Sequence, residues 1–161
     1  MKNHKKTLIP ILVTIVVLSV ICMPVRATDY NDYSPDEIYG VWNSTYNRAV
    51  EVAYGSYYKC QIQFIFTGVT QDADDYWINL KYDGTLNGWP WTESLKMEYK
   101  WGPYGTWTFL AYLDIQTYNG DLDITSATSS ILYLRFTDCA PEDIGAANTW
   151  CFGYEPYLTA V

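Results

Sequence analysis

Tyr39-Gly40-Val41-Trp42-Asn43-Ser44-Thr45-Tyr46 opens a run of strand-like segments that continues to the C-terminus. It follows an acidic turn, Ser34-Pro35-Asp36-Glu37. Gly40 lets the backbone bend or approach another strand closely. Trp42, two residues on, falls on the same face of an extended chain. A strand that begins with a small residue and then a large flat one can close the end of a barrel. It can equally supply an ordinary core tryptophan.

Upstream, Met1-Lys2-Asn3-His4-Lys5-Lys6 is a basic start, Leu8 to Met23 is almost wholly apolar, and Val25-Arg26-Ala27 offers small residues at the spacing of a signal-peptidase site. The expectation is a signal peptide over 1–27, cleaved after Ala27, and a secreted protein. An uncleaved anchor is the alternative, although the apolar run is short and Pro10 interrupts it. Bulky Ile21 before Cys22 argues against a lipoprotein.

The leader holds four of the ten basic residues (Lys2, Lys5, Lys6, Arg26) and no acidic one. Six basic and 18 acidic side chains therefore remain, a net charge of −12. Such a surface repels nucleic-acid phosphates and anionic membranes, so no nucleic-acid partner is expected. The only histidine, His4, also lies in the leader. The rest has no imidazole for general-base chemistry, for a nucleophile pair or for a metal. An enzyme is not expected, and neither is a cofactor or a metal. Oxygen ligands do recur in Asp72-Ala73-Asp74-Asp75 and Asn119-Gly120-Asp121-Leu122-Asp123, but neither continues as a calcium loop, and both read as acidic turns. Asn43-Ser44-Thr45 is a glycosylation sequon.

The 134 residues after Ala27 suit one domain. They contain all seven tryptophans, 16 tyrosines and five phenylalanines, which favours strands and an aromatic-lined ligand site. Residues 28–38 read as a loose lead-in and 39–161 as the domain. Alternation predicts strands near 39–46, 48–54, 58–67, 76–82, 93–101, 106–118, 131–137 and 150–157. Cys60, Ile62, Phe64 and Phe66 share one face, as do Leu95, Met97, Tyr99 and Trp101. Trp107, Phe109, Ala111 and Leu113 are expected to share another. Asp83-Gly84 and Asn119-Gly120 read as turns, and 143–148 as one helical turn. With no crossover helices between strands, the expected fold is all-β: an eight-stranded antiparallel up-and-down β-barrel, with a β-sandwich or jelly roll as the alternative.

Three cysteines remain after the leader. Cys139 and Cys151 flank a short loop and are the expected disulfide, worth roughly 3 kcal/mol in the chain-entropy model. Cys60 reads as a buried thiol, although its pairing with either of the others stays open.

Gly40-x-Trp42 at the start of an eight-stranded meander resembles the calycins, which include lipocalins and avidins. In them this tryptophan closes the barrel base and an arginine packs across it, a role the resemblance gives to Arg135. Tyr99-Lys100-Trp101 with Thr106-Trp107 resembles the tryptophan-bearing strands of the avidin pocket. Leu132-Tyr133-Leu134-Arg135, followed by Ala146-Ala147-Asn148-Thr149-Trp150, resembles that family's seventh strand and the loop beyond it, whose tryptophan enters a neighbouring subunit's site. The resemblance implies a small, partly apolar ligand such as biotin and a homo-oligomer. Trp101, Trp107 and Trp150 would form the walls, and Ser44 and Tyr46 the polar contacts. Glu155 is the nearest counterpart of the family's ligand-binding aspartate. Two readings from other classes stand beside it: a carbohydrate-binding β-sandwich displaying Trp77, Trp89 and Trp91, and a surface structural or adhesion domain.

Overall fold

The computed structural model describes residues 30–50, 52–54, 57–86, 94–113, 118–139 and 149–161. The expected signal peptide over 1–27, Trp89, Trp91 and the helical turn expected over 143–148 lie outside the described residues. Fourteen strands are described: β1 (Asn31–Tyr33), β2 (Glu37–Gly40), β3 (Trp42–Asn43), β4 (Arg48–Val50), β5 (Val52–Tyr54), β6 (Tyr57–Lys59), β7 (Gln61–Phe66), β8 (Tyr76–Leu86), β9 (Leu95–Trp101), β10 (Thr108–Leu113), β11 (Tyr118–Ile124), β12 (Leu132–Asp138), β13 (Thr149–Phe152) and β14 (Tyr157–Ala160).

The protein is all-β and every pairing is antiparallel. A seven-stranded sheet runs β1-β14-β8-β13-β4-β3, with β11 also on β8. A five-stranded sheet runs β10-β9-β12-β7-β2, and β5-β6 form a separate hairpin. The order is not the expected meander. β12 inserts between β9 and β7, and β8 pairs with β11, β13 and β14 instead of with its chain neighbours. Among the described residues no pairing joins the two large sheets.

Alternation builds the core. In β12, Leu132, Leu134 and Phe136 point inward while Tyr133, Arg135 and Thr137 point out. Ile62, Phe64 and Phe66 of β7 and Tyr76, Ile78, Leu80 and Tyr82 of β8 are buried in the same way. The inner faces of the two sheets meet in one cluster. Trp42 packs edge-on against Phe64 at 5.2 Å between ring centroids, Phe136 against Phe152 at 5.6 Å, and Tyr76 against Trp101 at 5.4 Å. Burying such side chains contributes about 1.5–3 kcal/mol each.

Gly40 and Trp42 do not share a strand face. Gly40 ends β2 in one sheet and Trp42 begins β3 in the other, so this stretch is the corner where the chain changes sheets. Gly40 has φ +103°, and a Cβ there would overlap the Gln61 carbonyl oxygen and stand 3.0 Å from Ile62 Cα. Both facts require glycine. The lead-in is not loose either. β1 pairs with β14, and the Asp36 carboxylate accepts hydrogen bonds from Thr67 N at 2.7 Å and Thr67 Oγ1 at 2.8 Å.

Two expected turns lie inside strands. Gly84, at φ +102°, sits in β8, where the register to β13 shifts between Cys151 and Phe152, so Asp83-Gly84 makes a bulge. Gly120 pairs with Leu80 in the middle of the β11–β8 ladder. Long-range pairing overrides the local turn preference at both places.

The expected Cys139–Cys151 disulfide is absent. Cys139 follows β12 on the outward side of the five-stranded sheet, and Cys151 is an outward position of β13 in the other sheet. Both are free thiols, on the outward sides of different sheets and not at bonding distance. Cys60 is buried, as expected.

Candidate functional site

The register places an aromatic and cationic surface on the outer face of the five-stranded sheet. One row runs Phe109, Glu98, Arg135, Gln63, Tyr39 across all five strands. The row beside it runs Tyr112, Lys96, Thr137, Gln61. On the other side stand Lys100, Tyr133, Ile65 and Glu37. Phe109 reaches this face through a bulge. The register from β10 to β9 shifts between Phe109 and Ala111, so Leu110 is the extra residue. Phe109 then faces out while Ala111 and Leu113 stay opposite Met97 and Leu95. That corrects the expectation of one continuous face. Phe109 and Tyr112 are 51% and 60% exposed, and their rings lie 4.8 Å apart.

Three of the six basic residues after residue 27, Lys96, Lys100 and Arg135, stand on this face. The Arg135 guanidinium lies 3.9 Å from the centre of the Trp107 ring, and Lys100 Nζ is 5.1 Å from Trp107 and 4.8 Å from Tyr133. Each such contact contributes about 0.5–1 kcal/mol where exposed. Glu98 joins two of the cations: its carboxylate accepts from Arg135 Nη2 at 2.6 Å and from Lys96 Nζ at 3.0 Å. Burial pushes the Glu98 carboxyl up, but the hydrogen bonds from Arg135 and Lys96 outweigh that and hold it below its ordinary value. Tyr39 donates to Glu37 at 2.5 Å, and that carboxylate raises the phenol. The result is a pre-set lattice of ring faces with charged and amide groups between them.

The expected ligand residues do not converge. Trp107 lies on the outer face under Arg135. Arg135 therefore does not cross Trp42, which packs on the opposite side of that sheet. Trp101 is 7% exposed at the end of β9, and its Nε1–H donates to Thr125 O at 3.0 Å. Trp150 is fully buried on the inner face of the seven-stranded sheet, in one row with Ala49 and Trp42. The indole N–H groups of Trp42 and Trp150 have no hydrogen-bond partner. The Trp42 N–H faces Glu155 without closing a bond, and burial raises that carboxyl against the opposing pull of the indole. Ser44 and Tyr46 lie in the exposed β3–β4 turn, where Asn43 Oδ1 accepts from Thr45 N at 3.1 Å and Arg48 stacks on Tyr46 at 5.1 Å. Trp77 is on the outer side of the seven-stranded sheet, beside Tyr30.

Sequence reasoning did not single out Phe109, Tyr112, Tyr133 or Tyr39. The available signal was the three-residue spacing of Phe109 and Tyr112, which breaks a two-residue period. Among the described residues no cluster of metal-ligating side chains occurs. No protein-family model matches the chain, and no curated protein matches it in sequence.

Proposed function

We propose that the protein is an exported, non-catalytic binding domain whose five-stranded sheet holds a carbohydrate polymer on its outer face. The observation that carries this is the exposed Phe109–Tyr112 pair beside the Trp107–Arg135–Lys100–Tyr133 stack. Ring faces contact the C–H faces of sugars, and the flanking Arg135, Lys96, Gln63 and Gln61 side chains can pair with sugar hydroxyls. From Phe109 to Tyr39 the row crosses four strand spacings, roughly 19 Å, a length that suits several linked sugars. The fold belongs to this reading as a two-sheet β-sandwich. Support comes from the non-sequential strand order and from the lack, among the described residues, of any ladder between the two large sheets. A flat face open to solvent suits a polymer better than a closed barrel would.

Adsorption to a panel of insoluble polysaccharides, with Phe109→Ala/Tyr112→Ala as the control, tests the reading. Retention on at least one polymer, lost in the double variant, supports it. No retention on any, or equal retention of both proteins, sinks it.

A second reading keeps the small-ligand pocket of an avidin-like protein, with biotin as the first candidate. It is favoured by one observation: the buried, unpartnered N–H groups of Trp42 and Trp150, each of which costs about 1–3 kcal/mol unless an acceptor reaches it. Quenching of tryptophan fluorescence by biotin, lost in Trp150→Phe, would support that reading over the first.

A further inference from the structure

Beside the β9–β10 turn is a cleft of about 180 Å³, lined by Trp101, Lys100, Thr106, Thr108, Thr125 and Thr128 among others. Its walls are fixed by hydrogen bonds that join the turn to the segment between β11 and β12. Trp101 Nε1 donates to Thr125 O, Tyr99 Oη and Thr125 Oγ1 pair at 2.9 Å, and Thr125 N donates to Tyr99 Oη at 3.1 Å. Gly102 N donates to Ile131 O at 2.8 Å. Gly105 completes the turn at a point where a Cβ would overlap the Trp101 carbonyl oxygen, so the loop lies directly on β9.

The chemistry of the lining is specific. Thr106, Thr108 and Thr128 are exposed, and their hydroxyls make no hydrogen bond among the described residues. Each can donate and accept. Among the described residues no carboxylate lines the cleft. Its one cation, Lys100, donates to Pro103 O at 2.6 Å and sits against the Trp107 and Tyr133 rings. The volume equals roughly six waters' share at about 30 Å³ each, and it is smaller than the usual site for a drug-sized ligand. A small, hydroxyl-rich ligand fits this lining, since the Lys100 ammonium is already held by Pro103 O and by two ring faces.

We propose that this cleft binds a single neutral pyranose ring, its hydroxyls paired with Thr106, Thr108 and Thr128 and one edge against the exposed part of Trp101. The site lies at the end of the five-stranded sheet, shares Lys100 with the outer face, and does not depend on the polymer reading. The Trp101 indole N–H, held by Thr125, is a built-in reporter.

The test is an amide and indole NMR titration of the full chain with D-glucose, D-galactose and D-mannose in turn. The expected result is saturable shifts at Thr106, Thr108, Thr125, Thr128 and the Trp101 indole for at least one sugar, with Kd on the order of 1 mM. Thr108→Val/Thr128→Val is expected to weaken that binding roughly 30-fold, from two lost hydrogen bonds at about 1 kcal/mol each. Its amide shifts away from the cleft should match those of the parent, which shows that the variant folds. Phe109→Ala should leave the titration unchanged, so the two sites fail separately. Absence of saturable shifts with all three sugars, shifts confined to other residues, or undiminished binding by the double variant would each overturn the proposal.

Discussion

Gly40→Ala is the sharpest probe of the corner between the sheets. The glycine has φ +103°, and an alanine there pays a conformational cost of about 1–2 kcal/mol. The added methyl also meets backbone, namely the Gln61 carbonyl and Ile62 Cα, which cannot swing aside as a side chain would. Edge strand β2 must therefore shift away from β7. That weakens the Gly40–Ile62 pairing, worth about 1 kcal/mol. It also draws Trp42 from its contacts with Phe64 and Phe152, worth about 0.5–1.5 kcal/mol each. The total is about 3–6 kcal/mol, a large fraction of the stability of a single domain. At about 3 °C per kcal/mol for a chain of this size, Tm falls by about 9–18 °C. Gly68→Ala is the matched control. Its φ is +67°, but nothing lies within 4 Å of its Cβ position, so it bears only the conformational cost. Calorimetry or near-UV circular dichroism measures both. Equal losses from the two substitutions would refute the close approach at Gly40.

Arg135→Ala leaves the largely buried Glu98 carboxylate with Lys96 as its remaining cation, and should cost about 2 kcal/mol, less than a fully buried pair because both groups keep some solvent. Glu98 is held below its ordinary value when folded, so its contribution is present above the unfolded carboxyl value and is lost as pH falls through the folded one. In Glu98→Gln the acid-induced fall in Tm should accordingly be shallower. Glu155 runs the other way: burial raises its carboxyl, so stability drops as pH rises from the unfolded to the folded value. Glu155→Gln should raise Tm at neutral pH and match the parent in acid. Cys139 and Cys151 should both take up iodoacetamide in denaturant without prior reduction, as peptide mass mapping will show, and reductant should leave Tm unchanged.

Much of the fold was legible because burial enforces alternation. Cys60 to Phe66, Tyr76 to Tyr82, Leu95 to Trp101 and Leu132 to Phe136 each declare an inner face, and the structure buries those residues. Strand order was not legible, because it depends on pairings between distant segments such as β12 with β7 and β14 with β8. Turn chemistry misled at Asp83-Gly84 and Asn119-Gly120, where a ladder partner absorbs the glycine. The candidate surface was hidden by a single extra residue. Nothing in Phe109-Leu110-Ala111 marks a bulge, yet Leu110 sends Phe109 to the opposite side from Ala111. Loop length made Cys139–Cys151 look natural, but the two thiols stand on the outward sides of different sheets.

The central claim is that the outer face of the five-stranded sheet is the ligand surface. Hydrogen exchange with and without a polysaccharide that retains the protein tests it most directly. Slowed exchange should concentrate in β10 and the adjoining parts of β9 and β12. Protection centred instead on β3, β4 and β13, around Trp42 and Trp150, or no protection at all, would contradict it.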